Sequence, residues 1–453
     1  MTTFSKGQTI EHPAVLAAYI AAGEKPKAQW RLGTEHEKFI YCRETLQPVG
    51  YDGPNGVRAV LEALSETTGW SIIAEDGKPI GLKGEGASVS LEPGGQVELS
   101  GAPLTSVHQT CSEVHRHLDA VKAVADPMGI SFLGMGVAPT WKRDDMPKMP
   151  KARYDIMRSY MPKRGSLGLD MMHRTCTVQV NLDYGTEADM VKKFRTALAL
   201  QPIATALFAN SSLLEGRATG FASWRAHIWT DTDPDRTGLL DFVFDDGFGY
   251  ERYTDYMLDV PMYFVRRNGK YVDASGQSFR DFMKGELPAL PGELPTLTDW
   301  EDHMSTAFPE VRLKQFLEMR GADSGPWRRI CALPAFWAGL LYDSDALDAA
   351  WDLAKNWTRE MRIAACEDAA RLGLKAMIDG RSIRDISLDL LSIAREGLRR
   401  RAMPGSSARD ETGFLDPLQL IAESGVTTGE YAAHRFVVEL DHDVKRLLEE
   451  NSF

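Results

Sequence analysis

Cysteines are scarce in this chain, and long basic or apolar runs are absent; each shortage removes a class of function. Five cysteines among 453 residues, none in CxxC spacing, are too few for a disulfide framework. Cys42, Cys111, Cys176, Cys331 and Cys366 therefore read as small, mostly buried residues in a reducing compartment. A net charge of −12 argues against a nucleic-acid surface, and the most basic stretch, residues 393–401, reads as a solvated helix end. No segment reaches the ~18 unbroken apolar residues of a membrane span; residues 197–209 come nearest and are interrupted by Gln201-Pro202. The N-terminus shows no basic region followed by an apolar core and a cleavage site, so the expected location is the cytoplasm.

Familiar catalytic signatures are missing as well. Without GxxxxGK[ST] there is no P-loop, and Gly134-Met135-Gly136 opens no GxGxxG. Any nucleotide must then be held through metal ions and arginines. HExxH is absent, and no Ser/His/Asp or Cys/His pattern stands above chance. Asp231-Thr232-Asp233-Pro234-Asp235 begins like a calcium loop, but Arg236 replaces the turn glycine and Phe242 the bidentate acid. Glu113, His115 and His117 follow one another at i, i+2 on a helix, which splits them between faces and argues against zinc held by those three.

The periodicities give an α+β chain with a mixed or antiparallel sheet first and a helical layer last. Residues 30–41 read as a strand, 57–67 as a helix, and 71–97 as a meander of short strands. A helix is expected over 106–125, strands over 130–136 and 175–182, and a helix over 187–210. The Pro-, Met- and Lys-rich stretch 141–164 is too long for a plain connection and is expected to line the site. Another strand is expected at 259–265, then helices at 346–353, 358–372, 383–400 and 428–449. Residues 403–407 read as a mobile break. The expected organisation is one catalytic domain over 1–453, sheet-rich over about 28–335 and helical over about 336–453.

What the chain does have is acid in strands. Glu35 and Glu37 sit at i and i+2 of the first strand, so they share a face roughly 7 Å apart. Two carboxylates buried that close repel unless a cation lies between them. Glu92 and Glu98 occupy a second apolar, glycine-punctuated stretch, and Glu318 a third. Glutamates converging from separate strands suit magnesium shared with phosphates. Arg153, Arg225 and Arg320 are the basic candidates; Arg225 lies among Trp224, His227 and Trp229. A guanidinium fork suits a substrate carboxylate, and a loop-locking salt bridge is the equal alternative for each.

Several long motifs carry a resemblance. They are Gly33-Thr34-Glu35-His36-Glu37-Lys38, the run from Leu91-Glu92-Pro93-Gly94 to Ser100, Leu169-Asp170-Met171-Met172, Arg174 to Asn181, His227 to Asp231 and Leu317 to Asp323. On these the chain resembles the plant-type glutamate–cysteine ligases, a group shared by plants and many proteobacteria, over nearly its whole length. The resemblance implies a saddle-like, mostly antiparallel sheet flanked by helices, similar to glutamine synthetase and guanidino kinases. It implies ATP-dependent joining of the glutamate γ-carboxylate to the cysteine amine through a γ-glutamyl phosphate, the first step of glutathione biosynthesis. Two or three magnesium ions would sit on Glu35, Glu37, Glu92, Glu98 and Glu318, with Gln179 as ligand or substrate contact. Arg320 would reach ATP phosphate, Arg153 and Arg225 substrate carboxylates, and Trp229 and Tyr263 the acceptor pocket. Lys38 would be a phosphate contact, although strand alternation turns it from the Glu37 face.

Plant members carry two cysteine pairs as redox switches. One is replaced here by Asp273-Ala274 and Pro288-Ala289; Cys111 and Cys331 match the other, implying a reversible disulfide and a monomer or redox-dependent homodimer. The implied partners are glutamate, cysteine and ATP, with neither nucleic acid nor membrane. The residues alone leave open a ligase with another amine acceptor, a guanidino or amine kinase, and a non-catalytic nucleotide or metal sensor.

Overall fold

The computed structural model describes residue 7 and residues 9–403 and 410–453. Apart from Met403, the break expected at 403–407 lies outside the described residues.

Nine strands form the main sheet: β1 (Leu32–Cys42), β2 (Ser71–Glu75), β3 (Lys78–Lys83), β4 (Ser88–Leu91), β5 (Val97–Ser100), β6 (Ile130–Leu133), β7 (Thr177–Leu182), β8 (Val311–Leu313) and β9 (Leu317–Asp323). Their order is β8-β9-β7-β1-β5-β4-β3-β2, with β6 pairing the end of β1. Every pairing in this sheet is antiparallel. The expected meander is present as β2 to β5, and the mostly antiparallel α+β sheet is borne out.

Strand β1 is central, and its alternation divides the molecule. Thr34, His36 and Lys38 point to a closed face and are buried; Glu35 and Glu37 point the other way and are half-buried. The closed face is covered by the helices α1 (Val57–Thr68) and α2 (Val107–Met128), which sit against the sheet through apolar stripes. Ser106 caps α2 by accepting from the Gln109 amide. The open face carries α3 (Ala152–Tyr160), α4 (Gly168–Arg174) and α5 (Trp224–Thr230). After β9 comes α6 (Trp327–Leu341), whose last 13 residues are all buried. It packs on α2, on β1 and β7, and on the helix Ile383–Arg401. There the backbones meet at Gly339 and Gly397: a methyl group on Gly397 would lie 1.9 Å from the Gly339 carbonyl oxygen.

Several expected elements are revised. The strand at 259–265 is not formed: Asp259 ends the helix Tyr250–Asp259, and the strand begins only at Phe264. Its hairpin turns at Asn268-Gly269, with φ of 51° and 78°, the left-handed pair that a two-residue turn requires. The helix over 187–210 divides into Glu187–Ala199 and Gln201–Phe208, because Pro202 has no N–H and cannot continue the preceding turn. The helix over 428–449 breaks into Thr428–His434, a wide turn Arg435–Glu439 and Val444–Glu450, with left-handed residues at Asp441 and His442. The stretch 141–164 is not all loop, since it contains α3.

Candidate active site

The strand register lines the carboxylates up. Glu37 stands opposite Glu98 across β1 and β5, and Glu35 stands opposite Gln179 of β7. Glu318 of β9 faces Asn181 of β7 on one side and Arg312 of β8 on the other. Glu92 follows β4 in a tight turn closed by its amide on the Gln96 carbonyl (2.8 Å). That turn needs glycine, because a methyl group on Gly94 would lie 2.3 Å from the His173 carbonyl oxygen. The turn brings Glu92 back beside Glu37 and Glu98; the Ser90 hydroxyl donates to Glu98 (3.0 Å) and the Tyr154 hydroxyl to Glu92 (3.3 Å).

Crowding shows in the acidity of this group. Burial, then the Glu92 carboxylate, pushes Glu37 up to about 8, although the Thr177 amide donates to it at 2.9 Å. Burial, then Glu92, Glu35 and Glu37, pushes Glu98 well above the usual carboxylate range. Glu35 accepts from the Asn181 amide at 2.8 Å. Glu35, Glu37, Glu92 and Glu98 are therefore oxygen donors gathered on one face and able to hold a hard cation.

Glu318 behaves differently. Both its oxygens accept from Arg312 (2.7–3.2 Å), and Lys314 (3.1 Å) and Arg320 pair with it too. Burial alone would raise its pKa; Arg312, Lys314 and Arg320 outweigh burial and hold it well below the carboxylate range. Glu318, expected among the metal ligands, is here paired with three cations. Arg320 is thereby aimed over the sheet, where it also bonds Gln179.

Arg225 reaches the same space from α5. The helix starts where Ser223 caps the Ala226 amide, and Asp323 holds that start: it accepts from the hydroxyls of Ser223 (2.9 Å) and Ser211 (2.7 Å) and from the Asn210 amide (2.7 Å). From there Arg225 donates to the Arg320 carbonyl (3.1 Å), with its Nε unpartnered. The Nε of Arg153 on α3 and the Trp229 indole N–H are likewise unpartnered although buried.

These groups surround an open cavity of ≈ 110 Å³ lined by Glu37, Glu92, Arg153, Tyr154, Arg225, Trp229, Phe308 and Arg320, among others. Acid occupies its floor and guanidinium groups its wall, so it can take a cation and anionic ligands side by side. The stretch 141–164 does contribute to the lining, through Arg153, Tyr154 and Met157.

Two expected site residues are elsewhere. Lys38 lies on the closed face, 3.1 Å from His36 Nδ1, and burial lowers it to about 7. Tyr263 is buried behind the cavity wall, stacked on Arg236 (3.8 Å) and bonded to Asp233 (3.3 Å). Cys111 of α2 and Cys331 of α6 do meet, as free thiols with sulfurs within 4.8 Å of each other, behind the sheet. The sequence reading missed Arg312, Asn181, Asp323 and Lys151, whose ammonium donates to the Leu91 carbonyl (2.7 Å). Arg312 had a signal: in Val311-Arg312-Leu313 a charge alternates with buried apolar residues.

Residues 31–446 match the family model described as glutamate-cysteine ligase family 2 (GCS2). The chain is 56% identical over 435 residues to a chloroplastic glutamate–cysteine ligase of Brassica juncea, covering 96% of this chain and 83% of that one. It is 55% identical, again over 96% of its length, to the chloroplastic ligase B of Oryza sativa subsp. japonica, covering 86% of it. A solved glutamate–cysteine ligase from Francisella tularensis, in complex with AMP, shares the fold: TM-score 0.57 at 12% identity, over 93% of this chain and 87% of that one. The chloroplastic relatives overturn the expected cytoplasmic location; few cysteines argue against a disulfide framework but do not choose a compartment. No described helix is long and apolar enough to cross a membrane. With its acid-floored, arginine-walled cavity and a match spanning nearly its whole length, the chain belongs to glutamate–cysteine ligase family 2.

Proposed function

We propose that this enzyme joins the γ-carboxylate of L-glutamate to the amine of L-cysteine at the expense of ATP. The observation that carries this is one cavity with glutamates on its floor and Arg153, Arg225 and Arg320 on its wall. A carboxylate is a poor electrophile, so it is activated first: its oxygen attacks the terminal phosphorus of ATP, ADP leaves, and an acyl phosphate forms. The amine then attacks the acyl carbon, releasing orthophosphate and a proton. Such chemistry depends on positioning and charge balance more than on covalent help from the protein.

Magnesium fits the carboxylate group, because burial and then neighbouring carboxylates raise the pKa values of Glu37 and Glu98, and a divalent cation offsets both. Glu35, Glu37, Glu92 and Glu98 would hold it, with the Gln179 amide at the row's edge. When bound it neutralises charge on the phosphates. The chain's own part is to aim guanidinium groups. Arg320, oriented by Glu318 and Gln179, faces developing phosphate charge, and Arg225 and Arg153 offer unpartnered N–H groups to a substrate carboxylate. Trp229 closes the acceptor side.

Orthophosphate release is the test, with glutamate and cysteine omitted in turn. Release that requires both amino acids supports the ligase. A phosphorylated product without free phosphate would show a kinase instead, and equal rates with unrelated amines would show a different acceptor.

A further inference from the structure

We propose that Cys111, His115 and Cys331 form a second metal site, behind the sheet, that takes a zinc-class cation. Cys111 and His115 lie one turn apart on α2, on the face that meets α6, and Cys331 comes from the first turns of α6. One ligand atom from each residue lies within 4.8 Å of the others. Tetrahedral zinc with these donors sets its ligand atoms roughly 3.5–4 Å apart, so closure needs shifts of about 1 Å. His115 Nδ1 is 3.5 Å from the Cys111 sulfur and donates to the Cys111 carbonyl oxygen at 2.7 Å, so ligation requires the ring to release that backbone contact or to turn Nε2 toward the sulfurs. The Trp327 ring packs edge-on against His115 at 4.4 Å.

Chemistry separates this site from the carboxylate row. Two thiolates and an imidazole select zinc-class ions over magnesium, which prefers oxygen. Three protein ligands leave a fourth position, and Cys331 borders a groove shared with Trp327 and His108 through which water or a small ligand can enter. The helical spacing of Glu113, His115 and His117 hid this arrangement, because the third ligand lies more than 200 residues along the chain. Occupancy would tie α2 to the helix that directly follows β9.

The chain, reduced with a phosphine, stripped by chelator and held in excess magnesium, is titrated with cobalt(II) and then zinc. A thiolate-to-cobalt charge-transfer band saturating at one equivalent and displaced by zinc is expected. Cys331→Ser and His115→Ala should each weaken zinc binding at least about tenfold, the lower bound for losing even an outer partner of a metal site. His115 is only half-buried, so His115→Ala keeps the fold and its glutamate-dependent phosphate release. A reduced chain with no charge-transfer band, or a His115→Ala variant that binds zinc as tightly as the parent, would overturn the site. So would a Cys111–Cys331 cystine whose reduction yields no zinc uptake.

Discussion

Glu37 on β1 and Glu98 on β5 stand directly opposite one another on the open face of the sheet, both with raised pKa values. Glu37 titrates near 8 when folded against an ordinary 4.5, so between those values the folded state holds the proton more tightly. Stability of the chelator-treated protein therefore falls as pH rises from about 4.5 to about 8. Magnesium favours the ionised form and removes that fall. Melting temperatures across this range, with magnesium and with chelator, should diverge as pH rises. Glu37→Gln should flatten the chelator curve and depress turnover; parallel curves for parent and variant would refute the cation assignment.

Arg312 is predicted to be a stability residue. Removing it leaves the fully buried Glu318 with only Lys314 and Arg320, and breaking one side of a buried ion pair costs about 3 kcal/mol or more. Denaturant unfolding of Arg312→Ala should show that loss. A change below about 1 kcal/mol would mean that the two remaining cations suffice.

Arg225→Lys keeps the charge and loses the fork. If the fork holds the glutamate carboxylate, kcat/KM for glutamate should fall roughly 10–100-fold, the worth of one charged hydrogen bond. The KM for cysteine should move far less. A uniform loss for both amino acids, with a lowered melting temperature, would place Arg225 in the scaffold alone.

Lys38→Met tests the closed face. Lys38 titrates near 7 when folded against an ordinary 10.5, so its burial penalty is full below pH 7 and fades as pH rises toward 10.5. The variant should gain stability most at or below neutral pH, with turnover within about threefold of the parent. A large rise in the KM for ATP would return Lys38 to the phosphate site.

Much of this site could be read in the chain because strand alternation is local. Glu35 and Glu37 share a face by spacing alone, and the same rule already turned Lys38 away from them. Glu92 was harder, since it sits on a turn and reaches its partners only through the close approach of Gly94 to the His173 backbone. The fate of Glu318 was not readable, because Arg312 reaches it through the pairing of β8 with β9. Tyr263 is put at the acceptor pocket by the resemblance alone, yet Arg236 claims its ring. Secondary structure failed where breaks depended on non-glycine left-handed residues such as Asp441 and His442, which leave little mark in composition.

Asp323 grips the end of β9, the 210–211 segment and the first turn of α5 with one buried carboxylate. The same strand presents Arg320, and the same helix presents Arg225. On the proposed reading, nucleotide and amino acid would thus be received by two arms swung from a single fulcrum. Loosening that fulcrum, as in Asp323→Asn, should weaken both affinities in step, so that neither substrate can be tuned from here without disturbing the other.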